Sequence, residues 1–420
     1  REVIVLKFMR VFSKVTFFVL LGLDIFVFSA IFYLGNSLGE KYKVKKGDVL
    51  SFNTPIPITA EYKGAKLSES GVSNEIGEEF KVGLKAFGVI PFSTVSVEVV
   101  DEMYVAVLGT PFGMKLYTDG VLVIDVTEVQ TENGAVSPAE KAGIKKGDYI
   151  LSADGRAVHT NEELSAVVSE SGGEKIKFVI KRAGKKKALL CNPVKSSETG
   201  DFKIGLWVRD SSAGIGTLTF YSPMTGVVCG LGHGVCDEDT GELLSLDTGE
   251  IVKAEIVSVE KGTSGSPGQL KGKFTYTALG AIDKNSENGV YSLLKGKISL
   301  SDLTEIALKN EVKDGAAQML CTIDGGTPKL YDCKIKKRGS AYMASTQNLT
   351  VTVTDKELLE KTGGIVQGMS GSPLLQNGKL VGAVTHVLID DPTTGYGIFA
   401  ENMLKTAESV TDNAELKKAS

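Results

Sequence analysis

The chain has 420 residues, which is enough for two or three domains of ordinary size. Its 47 basic and 51 acidic side chains nearly balance, so there is no global positive field, and we expect no nucleic-acid partner. The 42% hydrophobic and 23% charged content excludes wholesale disorder, and 48 glycines against 11 prolines favour many tight turns between short strands.

The first predicted element is an apolar helix. The stretch Val15–Gly35 contains a single charged residue, and about 20 such residues cross a bilayer. The basic residues before it favour a cytoplasmic N-terminus, with the rest of the chain on the far side of the membrane. A cleavable signal peptide is the alternative, but bulky Phe28 precedes the best cleavage candidate, Ala30. We therefore assign residues 1–35 to an uncleaved membrane anchor.

Residues 36–100 form the next region. They mix turn residues with short apolar pieces, and Val95–Val99 alternates in the pattern of a strand. No group of residues in this region indicates a particular chemistry. We interpret it as a β-rich spacer.

The segment 101–195 has a different pattern. The phrase SPAEKAGIKKGDYILSADG predicts a one-turn helix, a strand and a tight turn, and Thr160 with Glu163 forms the capping box of a second helix. With this phrase, the segment resembles a PDZ domain of the bacterial protease type. The resemblance implies a groove that binds an extended peptide by strand addition. A folded spacer without a ligand is the alternative.

A glycine-containing loop borders the peptide groove of PDZ domains. The matching residues of this chain lie ahead of the strand expected near Val121–Val126. They depart from the common loop sequence, which weakens the expectation that the groove binds a terminal carboxylate. The predicted peptide-binding loop consists of Phe112, Gly113, Met114, Lys115 and Leu116.

Residues 200–420 are rich in predicted short strands with glycine turns, which is typical of β-barrels or sandwiches. Two hexamers stand out, GTSGSP at Gly262–Pro267 and GMSGSP at Gly368–Pro373. Each has the pattern of the nucleophile loop of chymotrypsin-like peptidases, in which backbone N–H groups stabilise the oxyanion. The strand, turn and buried strand after the second hexamer favour Ser370 over Ser264 as nucleophile. The backbone N–H groups of Gly368 and Ser370 are then the predicted oxyanion hole.

A serine nucleophile of this type needs a histidine base, and the chain has three histidines. His159 lies in the PDZ-like segment, and His386 follows Ser370 within a predicted strand. We predict His233 as the base, because it lies between glycines after an apolar run and precedes the serine in the chain. His386 is assigned to structure or specificity.

The third member of such a triad is an acid that orients the histidine, and the residue patterns do not decide between Asp355, Asp324 and Asp237. Asp355 is also a favoured helix N-cap. Cys229 and Cys236 flank the predicted base in a C-x3-H-x2-C pattern that fits part of a zinc site. No second cluster of Cys or His supplies a fourth ligand. We therefore expect no metal and no cofactor.

At this point a more specific resemblance appears. The apolar helix, the PDZ-like segment, LGHGVCDEDTGELL and the block TDKELLEKTGGIVQGMSGSPLLQNGKLVGAVTHVLIDD together resemble the stage IV B sporulation peptidases of endospore-forming bacteria. The resemblance implies a catalytic triad of His233, Asp355 and Ser370. It also implies a mainly β protein with an N-terminal transmembrane helix, a PDZ domain and a chymotrypsin-like double β-barrel peptidase domain.

The family resemblance also carries a function. Its members are exported from the forespore into the space between its two membranes, where they cleave themselves and a membrane-anchored regulatory protein. That cleavage releases an intramembrane metalloprotease, which activates a late sigma factor. The resemblance therefore implies a membrane-tethered serine endopeptidase of sporulation signalling, with that regulator and its own chain as partners. A non-catalytic PDZ adaptor with a peptidase-like binding domain is the alternative.

Overall fold

The structure is a computed structural model that describes residues 2–52, 54–294, 302–339 and 346–419. The chain divides into two units. The first contains Arg1–Met103, Glu305–Gly315 and Lys336–Ala344, and the second contains the other residues. Strands outnumber helices, and an apolar helix begins the chain, which confirms the predicted fold class.

The N-terminal helix α1, Glu2–Ser37, contains the predicted apolar segment. Its stretch Phe12–Ser37 is long and apolar enough to cross a membrane, and most of it is exposed. Aromatic side chains such as Phe18 and Phe28 are exposed, and burial in lipid removes such surface from water. By length and composition, the helix fits a membrane anchor or a signal sequence.

The first unit continues with a small sheet. Its elements are β1 (Lys41–Lys45), β2 (Ile58–Tyr62), β3 (Ala65–Lys66), α2 (Leu67–Ser70), β4 (Glu79–Ala86) and β5 (Ile90–Val100). The strand order is β1-β5-β4-β2-β3. Because side chains alternate between the faces of a strand, Phe80, Val82 and Leu84 of β4 share one core with Val95 and Val97 of β5.

The PDZ-like region lies in the second unit. Its elements are β6 (Tyr104–Val107), β7 (Pro111–Val126), β8 (Val129–Thr131), β9 (Gly134–Val136), α3 (Pro138–Ala142), β10 (Tyr149–Ala153), β11 (Arg156–Ala157), α4 (Asn161–Glu170), β12 (Ile176–Arg182), β13 (Lys185–Cys191), β14 (Val194–Lys195) and β15 (Phe202–Lys203). Helix α4 begins at the predicted capping box of Thr160 and Glu163. Its buried residues Leu164 and Val168 pack in one core with Phe178 of β12.

The peptidase-like region follows. Its elements are β16 (Leu206–Ser222), β17 (Val227–Gly230), β18 (Leu246–Glu260), β19 (Gln269–Ser286), β20 (Gly289–Leu294), β21 (Thr304–Glu305), β22 (Gly315–Cys321), β23 (Lys329–Lys337), β24 (Leu349–Val353), α5 (Lys356–Thr362), β25 (Pro373–Gln376), β26 (Lys379–Val387), β27 (Thr394–Phe399) and α6 (Ala400–Ala419). Six of these strands form a closed barrel in the order β22-β23-β24-β27-β26-β25. The others belong to a twelve-stranded sheet that contains the run β7-β18-β19-β20-β17-β16.

Two long strands connect the regions of the second unit. β7 pairs with β10 of the PDZ-like region at Val121–Leu122, and along Pro111–Thr118 it pairs with β16 and β18. β16 starts beside the PDZ-like core and ends beside β17. The loops after β17 and before β25 carry the predicted histidine and serine, so these strands determine where the two loops meet.

Candidate active site

The second hexamer, Gly368–Pro373, forms the loop that leads into β25. Gly368 and Gly371 both have positive φ, +95° and +94°, which glycine adopts without steric cost. A Cβ atom on Gly371 would lie 2.5 Å from the backbone nitrogen of Leu231. The loop therefore packs so closely on the segment after β17 that only glycine fits at this position.

Strand β16 holds this loop with two buried threonines. The Thr217 backbone N–H donates to the Ser370 carbonyl at 2.9 Å, and the Thr217 hydroxyl donates to the Gly368 carbonyl at 2.9 Å. The Thr219 hydroxyl donates to the Gly371 carbonyl at 2.7 Å. Sequence reasoning missed both residues. The available signal was the alternation of two threonines on the buried face of an apolar strand, where each hydroxyl needs a partner.

The predicted oxyanion hole is open to a ligand. In the described part of the chain, the backbone N–H groups of Gly368 and Ser370 donate to no protein acceptor. The carbonyl of Met369, on the peptide that carries the Ser370 N–H, accepts from the Ser372 backbone N–H at 3.0 Å and from its hydroxyl at 2.6 Å. Since the C=O and N–H of a trans peptide point in opposite directions, these bonds aim the Ser370 N–H away from the loop interior.

His233 follows β17 and lies between Gly232 and Gly234. Its Nδ1 atom lies 2.8 Å from the Gly234 carbonyl. Because a carbonyl only accepts, this contact assigns the proton to Nδ1 and leaves Nε2 as an acceptor. Burial of the imidazole lowers the pKa of His233, which favours the neutral form that a general base needs.

The histidine and serine loops converge on two residues of β26. The Ser370 hydroxyl donates to the Thr385 carbonyl at 2.7 Å. The next ring, His386, lies 4.6 Å from the His233 ring, centroid to centroid. Desolvation of the ring and the adjacent His233 lower the pKa of His386 to about 4, although the residue as a whole is exposed. Both rings are therefore neutral near pH 7. The predicted nucleophile and base thus contact neighbouring residues of β26, and the Ser370 hydroxyl is bonded to Thr385.

The structure places Asp355 elsewhere. It is the N-cap of α5, where its carboxylate accepts the Leu358 backbone N–H at 3.0 Å and that of Asp332 at 3.4 Å. Among the described residues, neither of its hydrogen bonds involves His233. The other two candidates are no nearer to a triad arrangement: Asp324 is exposed, and Asp237 is buried and ion-paired with Arg209.

The first hexamer has a different conformation from the second. Thr263 and Ser266 exchange two backbone hydrogen bonds, of 2.7 and 2.9 Å, so that Ser264 and Gly265 form the tip of a tight turn. Ser264 is exposed. A tight surface turn is the alternative to a nucleophile loop for a serine- and glycine-rich hexamer. This conformation agrees with the preference for Ser370 over Ser264 as nucleophile.

The predicted peptide-binding loop of the PDZ-like region is wrong. Phe112, Gly113, Met114, Lys115 and Leu116 lie inside β7, paired with β16 on one edge and β18 on the other. The side chains of Phe112, Met114 and Leu116 are buried in the core of the peptidase-like sheet. A strand that is bonded along both edges has no free donors for a peptide.

A groove beside α4 replaces that loop. A cavity of about 690 Å³ lies between α4 and the chain from Phe202 to Val208. Leu164 and Val168 of α4 and Leu206 give it an apolar surface, and the exposed Trp207 is also part of its lining. The segment Leu206–Arg209 is itself added as a strand to β7 at Leu122–Val126.

The site and fold define a serine peptidase that carries a PDZ domain, and sequence comparison supports both parts. Residues 134–182 match the PDZ domain family, and residues 200–404 match the family described as SpoIVB peptidase S55. The peptidase region of this chain therefore matches the SpoIVB peptidase S55 family, the family that the sequence resemblance implies.

Other comparisons cover smaller parts. A putative zinc metalloprotease of Neisseria meningitidis is 35% identical over 80 residues, 18% of each chain, and one of Treponema pallidum is 26% identical over 139 residues, 33% of this chain and 30% of that protein. The chain spans less than one third of the length of these curated relatives. Among solved structures, the active form of the Rv3671c protease of M. tuberculosis is 17% identical and covers 46% of this chain and 72% of its own, with a TM-score of 0.26. The PDZ domain of an SdrC-like protein of Listeria monocytogenes is 23% identical and covers 21% and 87%, with a TM-score of 0.18.

Proposed function

We propose that residues 200–420 act as a serine endopeptidase in which Ser370 is the nucleophile, His233 the general base and Asp355 the acid that orients it. The backbone N–H groups of Gly368 and Ser370 form the oxyanion hole. The observation that carries this proposal is that Ser370 and His233 contact the neighbouring residues Thr385 and His386. Among the described residues, the N–H groups of Gly368 and Ser370 donate to no protein acceptor.

The chemistry starts from the resting arrangement, in which the Ser370 hydroxyl donates a hydrogen bond to the Thr385 carbonyl. When the main-chain N–H of an extended substrate donates to the Thr385 carbonyl instead, the Ser370 hydroxyl turns to Nε2 of His233. His233 removes the proton as Oγ attacks the scissile carbonyl, and the two N–H groups stabilise the oxyanion. His233 then protonates the leaving amine, and water hydrolyses the acyl-enzyme by the reverse sequence of proton transfers.

A fluorophosphonate probe tests this assignment on the full chain. It should label the wild type and the Ser264→Ala variant and should not label Ser370→Ala, which removes the attacking oxygen with little change in volume. Of the two variants, only Ser370→Ala should lose cleavage of its own chain and of the substrate. Labelling that survives in Ser370→Ala would overturn the assignment. An unlabelled but folded wild type would favour the non-catalytic PDZ adaptor.

For the PDZ domain, we propose that the groove beside α4 binds an extended segment of a protein substrate or of its own chain. Its support is the cavity between α4 and the strand Leu206–Val208, since PDZ domains bind an extended segment between a helix and a strand. Ser165→Trp would fill the cavity, and Ala166→Trp, which is exposed on α4 outside the lining, is the matched control. We expect only the first variant to change the timing or site of self-cleavage.

For the biological role, we propose a membrane-tethered peptidase of sporulation signalling that acts outside the cytoplasm, in the space between the forespore membranes. Its substrates are its own chain and a membrane-anchored regulator of an intramembrane protease. The support is the S55 family membership together with the apolar helix Phe12–Ser37. N-terminal sequencing of purified full chain over time, with Ser370→Ala as control, tests self-cleavage, since fragments that appear in both samples would exclude it.

A further inference from the structure

The first hexamer has no part in the chemistry described above, yet it is bonded to the chain on both sides of the second. The Gly262 backbone N–H donates to the carbonyl of Thr362, the last residue of α5, at 2.8 Å, and the Gly265 N–H donates to the Ile389 carbonyl, just after β26, at 2.9 Å. These bonds fix the first loop to the chain on both sides of the nucleophile loop. An exposed turn with no further role would not need them.

The exit of the first loop pairs with the residue before the oxyanion hole. The Leu270 backbone N–H donates to the Gln367 carbonyl at 2.8 Å, and the Gln367 N–H donates to the Gly268 carbonyl at 3.1 Å. This bridge between Gln269 and Gln367 is parallel and isolated from the sheets. A Cβ atom on Gly368 would lie 3.1 Å from Cβ of Leu270, so Leu270 also packs on the glycine itself.

The geometry of the peptide group gives this bridge a consequence. The Gln367 carbonyl and the Gly368 N–H belong to one planar trans peptide and point in opposite directions. Fixing the carbonyl on Leu270 therefore fixes the direction of the Gly368 N–H. The corresponding direction of the Ser370 N–H is fixed inside the second loop by Ser372. The two donors of the hole thus depend on different parts of the chain.

We propose that the first hexamer loop, Gly262–Pro267 with Gly268, positions the oxyanion hole of the second, through the Leu270 N–H and the Gln367 carbonyl. The inference rests on the proposed role of Gly368. Leu270 and Gly268 are positioning residues, because they act on the hole through Gln367. Gly268 is required for the turn, since at φ +68° its Cβ would lie 2.5 Å from the Gly262 nitrogen and would collide with the Glu260 carbonyl.

The sharpest test removes one N–H and keeps every side chain. In the full chain, the Leu270 backbone amide is replaced by an ester. The matched control is the same replacement at Ile256, whose N–H makes a similar isolated bond of 3.0 Å to Gly325. The substrate is a peptide that spans the mapped self-cleavage junction. Its aldehyde and its amide serve as inhibitors, because the aldehyde adduct places an oxyanion in the hole and the amide does not.

We expect the Leu270 ester to lower kcat at least tenfold, toward the ~10²–10³-fold loss found when one donor of such a hole is removed. KM and the affinity of the amide should stay within about twofold, and the aldehyde should weaken in parallel with kcat/KM. Gly268→Ala should behave in the same way, while Gly184→Ala, at φ +75° with open space around its Cβ and outside the peptidase loops, should keep its activity.

Several results would overturn the inference. One is a Leu270 ester as active as the Ile256 ester. Another is a Leu270 ester in which KM and the affinity of the amide inhibitor worsen as much as kcat, because that pattern indicates a general structural defect. Failure of the proposed function would look different, since a wild type that the fluorophosphonate probe does not label at Ser370 has no oxyanion hole to position.

Discussion

Replacing Asp355 separates a catalytic role from a capping role. The sequence predicts it as the triad acid, and the structure has it as the N-cap of α5, accepting the Leu358 N–H at 3.0 Å. Asparagine caps helices about as well as aspartate, whereas alanine loses about 1 kcal/mol. Both replacements remove the negative charge. The two variants Asp355→Asn and Asp355→Ala both lack the charge, and only the alanine variant loses the helix cap. Their comparison therefore separates the two roles.

We expect Asp355→Asn to unfold at nearly the wild-type Tm and to lose about 10⁴-fold in turnover, because an amide holds the wrong tautomer of the base. Asp355→Ala should lose the same activity and, in addition, about 1 kcal/mol, which corresponds to about 2–4 °C in Tm for a domain of this size. The observed contacts mean that this catalytic role requires two changes when substrate binds: the carboxylate leaves Leu358 and Asp332, and Nδ1 of His233 leaves the Gly234 carbonyl.

Hydrolysis of the junction peptide and thermal unfolding by circular dichroism measure the two effects. Thr160→Ala is the control, because it removes the capping box of α4 and leaves the peptidase loops unchanged. It should lose stability and keep its activity. The reasoning is refuted if Asp355→Asn turns over at nearly the wild-type rate while Asp355→Ala is less stable. Asp355 would then be a cap only, and Asp324 would be tested next, since Asp237 is committed to Arg209.

Three further predictions concern the loops around the site. Gly371→Ala should abolish hydrolysis and lower stability in urea, because its Cβ would lie 2.5 Å from the Leu231 nitrogen, whereas Gly378→Ala, at φ +78° with open space, should stay active. Thr217→Val should lower kcat and leave KM unchanged, since it removes the hydroxyl bond to Gly368. The control is Thr275→Val, which loses an exposed bond to Lys253, and an equal effect of the two variants on kcat would contradict the prediction. Burial lowers the pKa of His233, and the neutral imidazole is the proposed base. The pH at which kcat/KM falls on acidification should therefore lie below the ordinary histidine pKa of about 6.5, and a fall at higher pH would contradict this.

The predictable parts of this protein are those that a short stretch of sequence determines. The apolar run of α1, the capping box of α4 and the glycine pattern around Ser370 each act within a few residues, and each is found where the sequence places it. The buried bonds of Thr217 and Thr219 were not predictable in the same way, because their acceptors lie about 150 residues further along the chain.

The error at the PDZ loop has a physical cause. Gly113 was interpreted as a loop glycine that leaves space for a peptide. In the structure it lies in β7, where a Cβ would approach the ring of Phe274 to 2.6 Å. Glycine in a strand often marks such a close approach, and local sequence does not distinguish the two uses.

The two hexamers show why the surroundings of a motif decide its role. They share the pattern G-x-S-G-S-P, and the glycine after the serine has a positive φ in both, +84° at Gly265 and +94° at Gly371. A Cβ on Gly265 would meet open space, whereas one on Gly371 would collide with β16 and with the segment after β17. The backbone of this glycine is therefore similar in both loops, and the difference lies in what packs against it. We propose Ser370 and not Ser264 as the nucleophile because β16 and β26 hold its loop near a histidine, and six residues of sequence do not contain that information.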